Sequence, residues 1–153
     1  MAMRPPSQYY VPGLAKFYGG LDAWAHVLIR VALGLVLIPH GAQKLFGWFG
    51  GPGMNGFMGV LQKFGYSSIF AWPIALLEFF GGILLIIGLF TRPVALLVLI
   101  FMLEAARFHY GVGGFFWTAR GNEYPLILCA LSLYLIIRGS GPYSVDAAMS
   151  KEI

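Results

Sequence analysis

Charged side chains are scarce in this chain of 153 residues, of which Asp, Glu, Lys and Arg together make up 10%. Typical soluble domains carry about 25%. Hydrophobic residues account for 59% of the sequence, and the mean hydropathy is +0.77. Because so few charges cannot cover a surface that faces water, the composition excludes a soluble domain and predicts an integral membrane protein. The formal net charge of +4 is expected to come from basic loops beside membrane helices, and no nucleic-acid partner is expected.

Cysteine is nearly absent as well. Cys129 is the single cysteine, so neither an intramolecular disulfide nor a Cys-x-x-Cys pair can form. Thiol–disulfide chemistry within the chain is therefore excluded. The sequence also lacks a glycine-rich phosphate loop and a Gly-x-Ser-x-Gly motif, so nothing indicates a soluble nucleotide-binding or hydrolytic enzyme. Residues 1–20 lack the compact apolar core of a signal peptide and are predicted to be a retained N-terminal interfacial tail.

The sequence does contain four apolar segments close to the 20 or so residues that cross a bilayer as a helix. They are residues 21–46, 70–90, 93–110 and 123–138. Only Thr91 and Arg92 separate the second from the third, and Pro93 is suited to the first turn of a helix, which predicts a tight antiparallel hairpin. Asn122 is a candidate N-cap of the fourth segment. The fold class is therefore predicted as all-α, an integral membrane four-helix bundle over residues 21–138, followed by a C-terminal tail at 139–153.

The two longer connections are rich in glycine and aromatic residues. Between the first two segments, apolar residues recur at helical spacing from Phe57 to Phe64, which predicts a short amphipathic helix in the membrane interface. Residues 111–121 are predicted to form a second interfacial segment on the same side. Small residues within the segments predict close approach of helix backbones; these are Gly34, Gly41, Gly81, Gly82 and Gly88.

Basic residues are divided unevenly between the two predicted sides. With four spans, both termini and the turn at Thr91 and Arg92 share one side, whereas the long loops share the other. The terminal side carries Arg4, Lys16, Arg92, Arg138 and Lys151, and the loop side carries Lys63 and Arg120. Because cytoplasmic loops are enriched in Lys and Arg, both termini are predicted to be cytoplasmic.

Ionisable residues inside the spans cost about 2.5–3.5 kcal/mol each on insertion scales, so each needs a partner or a function. In the first span, steps of four and three place six residues on one helical stripe: His26, Arg30, Leu33, Leu37, His40 and Lys44. From the rise per residue, seven ionisable groups are expected to converge at one level on the outer side. They are His40, Lys44, Glu78, Glu104, Arg107, His109 and Glu123. His26 and Arg30 form a separate pair, expected to contact the interface or lipid headgroups.

Two interpretations of the seven groups stay open. Lys44 and Arg107 can simply neutralise the three glutamates and hold the helices in register, since buried ion pairs can specify an arrangement while adding little stability. Alternatively, the groups form a polar pocket for a ligand. In that case Phe79, Phe80, Phe108 and Trp117 are the candidate pocket wall.

Haem and metal sites fit these seven residues poorly. A haem held by His40 and His109 is conceivable but disfavoured, and a carboxylate di-metal site fails because Glu104 is followed three residues later by Arg107. A mononuclear metal held by these two histidines and a glutamate stays open, but no metal site is assigned. No intrinsic cofactor is expected. A quinone or other planar amphiphile fits better, because it needs hydrogen-bond donors and a proton carrier between apolar walls.

The motifs around the charged positions resemble those of the DoxX family of small bacterial four-span membrane proteins. The resemblance covers residues 23–137 and rests on Arg30 to Leu37, Pro39-His40-Gly41-Ala42-Gln43-Lys44-Leu45-Phe46-Gly47, Glu78-Phe79-Phe80-Gly81-Gly82 and Gly88-Leu89-Phe90-Thr91-Arg92-Pro93. It implies a four-helix membrane bundle and an association with redox chemistry, as in a relative that is a subunit of an archaeal thiosulfate:quinone oxidoreductase. It supports His40, Lys44 and Glu78 as positions of interest, with no catalytic residue assigned.

The resulting hypothesis is an accessory subunit of a quinone-linked redox system in the bacterial cytoplasmic membrane, which binds a quinone-like molecule or lipid in an outer-leaflet pocket. An electron-transfer protein or larger membrane complex would be its partner. The alternative is a structural or assembly subunit in which the buried ion pairs serve packing alone.

Overall fold

A computed structural model describes residues 10–149 of the chain, apart from the side chains of Pro12 and Lys16. This part contains no β-strand. Besides short 3₁₀ turns, it contains helices α1 (Ala15–Leu45), α2 (Gly53–Lys63), α3 (Ser68–Ile87), α4 (Thr91–Gly113), α5 (Glu123–Arg138) and α6 (Val145–Ala148). The predicted interfacial placement of residues 1–9 and the charges of Arg4 and Lys151 lie outside the described residues.

The four longest helices pack side by side with alternating direction. α1 packs mainly against α3, and α4 packs mainly against α5. We call one end of the bundle the loop end, which carries residues 46–67 and 114–122, and the other the tail end, which carries residues 88–90 and 139–149. The core between the helices is apolar, and its most deeply buried side chains include Leu33, Leu37, Leu85, Val98 and Leu135.

The outer surface of the bundle is apolar along its whole length. Large hydrophobic side chains are exposed on every long helix, among them Leu28, Ile83, Ile100 and Leu133. Three stretches are long and apolar enough to cross a membrane: Phe17–Leu45, Ser68–Ile87 and Thr91–Gly113. The prediction of an all-α membrane bundle is therefore confirmed. Helix α5 has 16 residues, or about 24 Å, and is shorter than the hydrocarbon core of about 30 Å.

The helix bounds are close to the predicted ones, and the starts of α1 and α4 are among the ends that differ. α5 has the predicted bounds, whereas α1 starts six residues earlier than expected, at Ala15. The turn between the second and third spans lies at residues 88–90, where Gly88 and Phe90 have positive φ, and Thr91 and Arg92 already belong to α4. The short helix expected between the first two spans is α2, which buries Phe57.

Glycines bring α1 and α3 into backbone contact. A Cβ atom added at Gly34 would lie 2.5 Å from the Gly82 carbonyl oxygen, and one added at Gly82 would lie 2.9 Å from the Gly34 carbonyl oxygen. A Cβ atom at Gly41 would collide with the backbone nitrogen of Phe79. The predicted close approach of backbones is therefore confirmed at these three glycines.

Gly41→Ala is expected to lower the free energy of unfolding by about 1–3 kcal/mol, because the added methyl group would push against the α3 backbone, which cannot give way as a side chain would. The matched control is Gly20→Ala on the same helix, where a Cβ atom meets nothing within 4 Å. Unfolding by SDS in mixed micelles, followed by far-UV circular dichroism, measures both variants. Equal stability of the two variants would contradict this packing.

Candidate functional site

The most buried ion pair of the loop end joins the last turn of α1 to the middle of α3. The Lys44 ammonium donates hydrogen bonds to both Glu78 carboxylate oxygens, at 2.8 Å to Oε1 and 2.5 Å to Oε2. The side chain of Glu78 is 5% exposed and that of Lys44 is 16% exposed. Burial strengthens the attraction between the charges but also removes their water, so each group depends on the other.

A π-helical turn places Glu78 at this position. Residues Leu77–Gly81 form a π turn within α3, and π turns insert one extra residue into a helix, often at functional sites. The extra residue changes the direction of the side chains that follow it. Gly41 lies directly against this turn, and its lack of a side chain lets α1 approach the Phe79 backbone.

Phe57 of α2 lies against the Lys44 side of the pair. Its ring centroid lies 5.1 Å from Lys44 Nζ, within the range of a cation–π interaction. The Lys44 ammonium also lies 3.4 Å from the backbone carbonyl of His40, one turn earlier. The His40 residue itself is exposed on the surface of α1. Phe57 was not predicted as a site residue; the only signal was its place on the apolar face of the amphipathic helix.

A second cluster joins Tyr66, which follows α2, to Glu104 and Arg107 on α4. The Tyr66 hydroxyl donates to Glu104 Oε1 at 2.5 Å and accepts from Arg107 Nη2 at 2.8 Å. Arg107 also donates through Nε to Glu104 Oε2 at 2.9 Å. The hydrogen bond to Glu104 raises the pKa of the Tyr66 phenol above its ordinary value, because the phenol can donate this bond only while it keeps its proton. Tyr66 was missed because nothing in the sequence pairs it with α4.

His109 and Glu123, the last two of the seven predicted residues, form hydrogen bonds with the backbone of the loop between α4 and α5. His109 Nδ1 lies 2.8 Å from the Arg120 carbonyl oxygen, and Glu123 accepts a hydrogen bond of 3.2 Å from the Trp117 backbone amide. Asn122 stands at the N-cap position of α5, but its side chain makes no capping hydrogen bond. Asn122 therefore occupies the predicted N-cap position, but the predicted capping by its side chain is wrong.

The seven predicted residues share the loop end but form separate groups. Within residues 10–149, no hydrogen bond or ion pair of the structure joins the Lys44–Glu78 pair to the cluster of Glu104 and Arg107, and His109 and Glu123 contact backbone of the loop. The predicted wall residues are divided as well. Phe79 packs against Phe46, Phe108 packs against Phe64, and Phe80 and Trp117 are exposed.

His26 and Arg30, at the tail end, are buried, being 5% and 2% exposed. Arg30 donates to the carbonyl oxygens of Ser140 at 2.6 Å and Tyr143 at 2.7 Å. His26 Nε2 lies 3.1 Å from Arg138 Nη2. The expectation that these two residues reach lipid headgroups is therefore wrong: both are covered by protein, and Arg30 binds the backbone of the C-terminal segment.

Asp146 attaches the C-terminal segment to the hairpin between α3 and α4. Its carboxylate accepts hydrogen bonds from the backbone amides of Phe90 at 2.9 Å and Thr91 at 3.1 Å. Phe90 is the N-cap residue of α4 and Thr91 is its first residue. The N–H groups at the start of a helix have no partner within the helix and favour a negative charge. Residues 139–149 therefore close the tail end of the bundle.

The side chains of the loop end include hydrogen-bonding groups and groups that can bind metals. Within the part of the chain that the structure describes, no three His, Cys, Asp or Glu side chains are grouped closely enough for a metal ion. The Lys44 ammonium can donate hydrogen bonds and the Glu78 carboxyl can accept or release a proton. Beside them, the Phe57 ring provides an apolar surface. The pair and Phe57 therefore place a hydrogen-bond donor, a proton-exchanging group and an apolar surface side by side.

Comparisons with known proteins agree with the sequence motifs. The family model of the DoxX proteins matches residues 25–111. A protein of Bacillus subtilis (strain 168) named "Putative oxidoreductase CatD" is 29% identical over 125 residues, which cover 82% of this chain and 87% of that protein. A protein of Haemophilus influenzae described as "Uncharacterized protein" is 30% identical over 128 residues, covering 81% of this chain and 90% of that one. No solved structure matches. With more than half of its length matched by the family model, the chain belongs to the DoxX family.

Proposed function

We propose that this protein is an accessory subunit of a membrane redox system that binds a quinone-like molecule beside the Lys44–Glu78 pair. The single observation that carries the proposal is a buried, hydrogen-bonded pair of opposite charges, set on a π turn and covered by an aromatic ring. A quinone headgroup needs a donor for its carbonyl oxygen and a group that exchanges protons. Lys44 fills the first role and Glu78 the second.

The level of the pair in the bundle supports a ligand that arrives from the membrane. The exposed aromatic residues Trp24 and Phe46 lie 22 residues apart on α1, or about 33 Å, which is close to the hydrocarbon thickness of about 30 Å. Aromatic side chains of this kind prefer the two interfaces of a bilayer. Lys44 is two residues from Phe46, so the pair would lie where a quinone headgroup resides.

The redox chemistry requires a partner. Conversion of a quinone to a quinol takes up two electrons and two protons, and in this proposal an electron-transfer protein supplies the electrons while Glu78 passes the protons. The name of the Bacillus subtilis relative, which contains "oxidoreductase", supports a redox setting. The protein itself would contribute the binding site and no redox group of its own.

The proposed setting is the bacterial cytoplasmic membrane, with α5 as a fourth span and both termini in the cytoplasm. Arg92 and Arg138 lie at the tail end, and the enrichment of basic residues on the cytoplasmic side supports that orientation. Helix α5 is short, and Arg138 in its last turn contacts His26 and Asp22 of α1 at the tail end.

A structural or assembly subunit is the second candidate. The observation that favours it is that each Glu78 oxygen already has Lys44 as a partner, so the pair is complete without a ligand. The exposed aromatic residues of the loop end, such as Phe49, Phe116 and Trp117, would then pack against a larger complex.

Glu78→Gln is expected to weaken quinone binding by about ten- to a hundredfold, because it removes a charged hydrogen-bonding group from the site. The measurement is quenching of tryptophan fluorescence by a short-chain ubiquinone and a menaquinone analogue, with the protein in lipid nanodiscs. Asp22→Asn is the matched control, since Asp22 lies at the tail end and is exposed.

The two candidate functions give different results in this experiment. A large loss of affinity in Glu78→Gln, measured at a temperature at which circular dichroism shows the variant to be folded, together with normal binding by Asp22→Asn, supports the quinone site. Absence of quinone binding by the wild-type protein, or equal affinity of both variants, would leave the structural subunit as the better explanation.

A further inference from the structure

We propose that α2 is a lid over the Lys44–Glu78 pair and that Tyr66, Glu104 and Arg107 form the latch that holds it closed. The proposal rests on the proposed function of that pair and adds how a ligand would gain access to it. The latch residues form a cluster of their own, separate from the site that they would control.

The lid is defined by its contacts. Helix α2 packs against α1 and α3, and it buries Phe57, whose ring lies over Lys44. Glu78, which Lys44 binds, is 4% exposed. A ligand that is to reach the pair past the Phe57 ring must therefore displace α2.

The latch lies immediately after the lid. α2 ends in a turn in which Gly65 has a φ of 80° and the Tyr66 amide donates to the Leu61 carbonyl at 2.9 Å. This turn directs the chain so that Tyr66 meets Glu104 and Arg107. The ring of Phe64 meets that of Phe108 edge-on, at 4.7 Å between centroids. Both contacts attach the C-terminal end of α2 to α4.

The other end of the lid is suited to act as a hinge. Gly47, Gly50 and Gly53, just before and at the start of α2, all have positive φ. Glycine adopts such angles at little cost and passes readily to others. A lid attached by a glycine-rich hinge at one end and by exposed polar contacts at the other can open without disturbing the long helices.

The latch is exposed whereas the pair is buried. The side chains of Arg107 and Glu104 are 70% and 45% exposed, and ion pairs of this kind contribute little to stability and are weakened by salt. This is the property expected of a contact that must break and re-form, since a fully buried latch would hold the lid permanently shut.

Tyr66→Phe tests the latch, because it removes the two hydrogen bonds of the hydroxyl and keeps the ring that faces Phe108. The probe is dicyclohexylcarbodiimide, an apolar reagent for carboxyl groups, and mass spectrometry of the peptide that contains Glu78 gives the labelling rate. We expect labelling about three- to tenfold faster than in the wild type, the effect of losing one or two exposed hydrogen bonds. Arg107→Gln is expected to act in the same direction, and Tyr110→Phe, an exposed tyrosine nearby on α4, is the control.

Hydrogen–deuterium exchange of the same variants provides the second measurement. Faster exchange in residues 53–67, with unchanged exchange in α5, supports opening of the lid. Unchanged exchange and unchanged Glu78 labelling in both Tyr66→Phe and Arg107→Gln would overturn the proposal. Neither measurement uses a quinone, so a protein that binds no quinone can still show the lid, and a protein with a quinone site can still lack it.

Discussion

Lys44→Met is expected to lower the free energy of unfolding by about 3–5 kcal/mol, because it leaves the Glu78 carboxylate buried without its partner. The double variant Lys44→Met/Glu78→Leu is expected to recover most of that loss, to within about 1–2 kcal/mol of the wild type, since apolar side chains of similar size replace both charges. Unfolding by SDS in mixed micelles, applied to the wild type, both single variants and the double variant, measures the coupling between the two residues.

The control for this cycle is Lys63→Met, which removes a cation from an exposed position on α2 and is expected to change stability by less than about 0.5 kcal/mol. A double variant as unstable as Lys44→Met alone would show that the charges do not act as a pair. The double variant also bears on function. If it is stable and still binds quinone, the pair serves packing alone, whereas a stable protein without binding assigns the pair to the ligand site.

Loss of either attachment of residues 139–149 is expected to open the tail end of the bundle. Arg30→Met leaves the carbonyl oxygens of Ser140 and Tyr143 without their donor, at an expected cost of about 3 kcal/mol. Asp146→Ala removes two hydrogen bonds from the first turn of α4, at about 1–2 kcal/mol. In both variants, hydrogen–deuterium exchange of residues 139–149 should rise together with the loss of stability.

Two further variants distinguish this attachment from a general effect of charge. Arg30→Lys keeps the positive charge but loses the planar group that reaches two carbonyl oxygens, so it should be nearly as unstable as Arg30→Met. Asp22→Ala removes an exposed carboxylate from the same end and should leave the exchange of residues 139–149 unchanged. Wild-type exchange in Arg30→Met would show that the C-terminal segment is held by other contacts.

The end of the bundle at which each charged residue lies could be predicted because a helix rises by a constant amount per residue. Lys44 and Glu78 do meet across the α1–α3 interface. The direction of each side chain around its helix could not be predicted in the same way. The π turn at Leu77–Gly81 shifts the side chains that follow it, and the hydropathy pattern carries no trace of that extra residue.

The partners of Tyr66 and Asp146 illustrate the same limit. Each lies in a connecting or terminal segment of little periodicity, and each contacts a helix far away in sequence, Glu104 for the first and the start of α4 for the second. Such contacts depend on where the ends of packed helices meet, which a single sequence does not state. For the same reason, the attachment of residues 139–149 to Arg30 could not be predicted from the sequence.

The sequence by itself determined that this protein belongs in a membrane, where its helices lie and which glycines bring helices together. Hydropathy, segment length and residue size determine these features, and each is a property of a short stretch of sequence. It also determined the family, through the motifs around His40 and Glu78. Only the tertiary structure decided that six of the seven ionisable residues of one end divide into a buried pair, an exposed ion pair on α4 and two contacts to the loop before α5, with His40 exposed and outside these groups. It also decided that Arg30 faces protein instead of lipid. The physical reason is that the partner of each ionisable side chain depends on how its helix is rotated and on which distant segments lie beside it. Both are properties of the packed bundle as a whole.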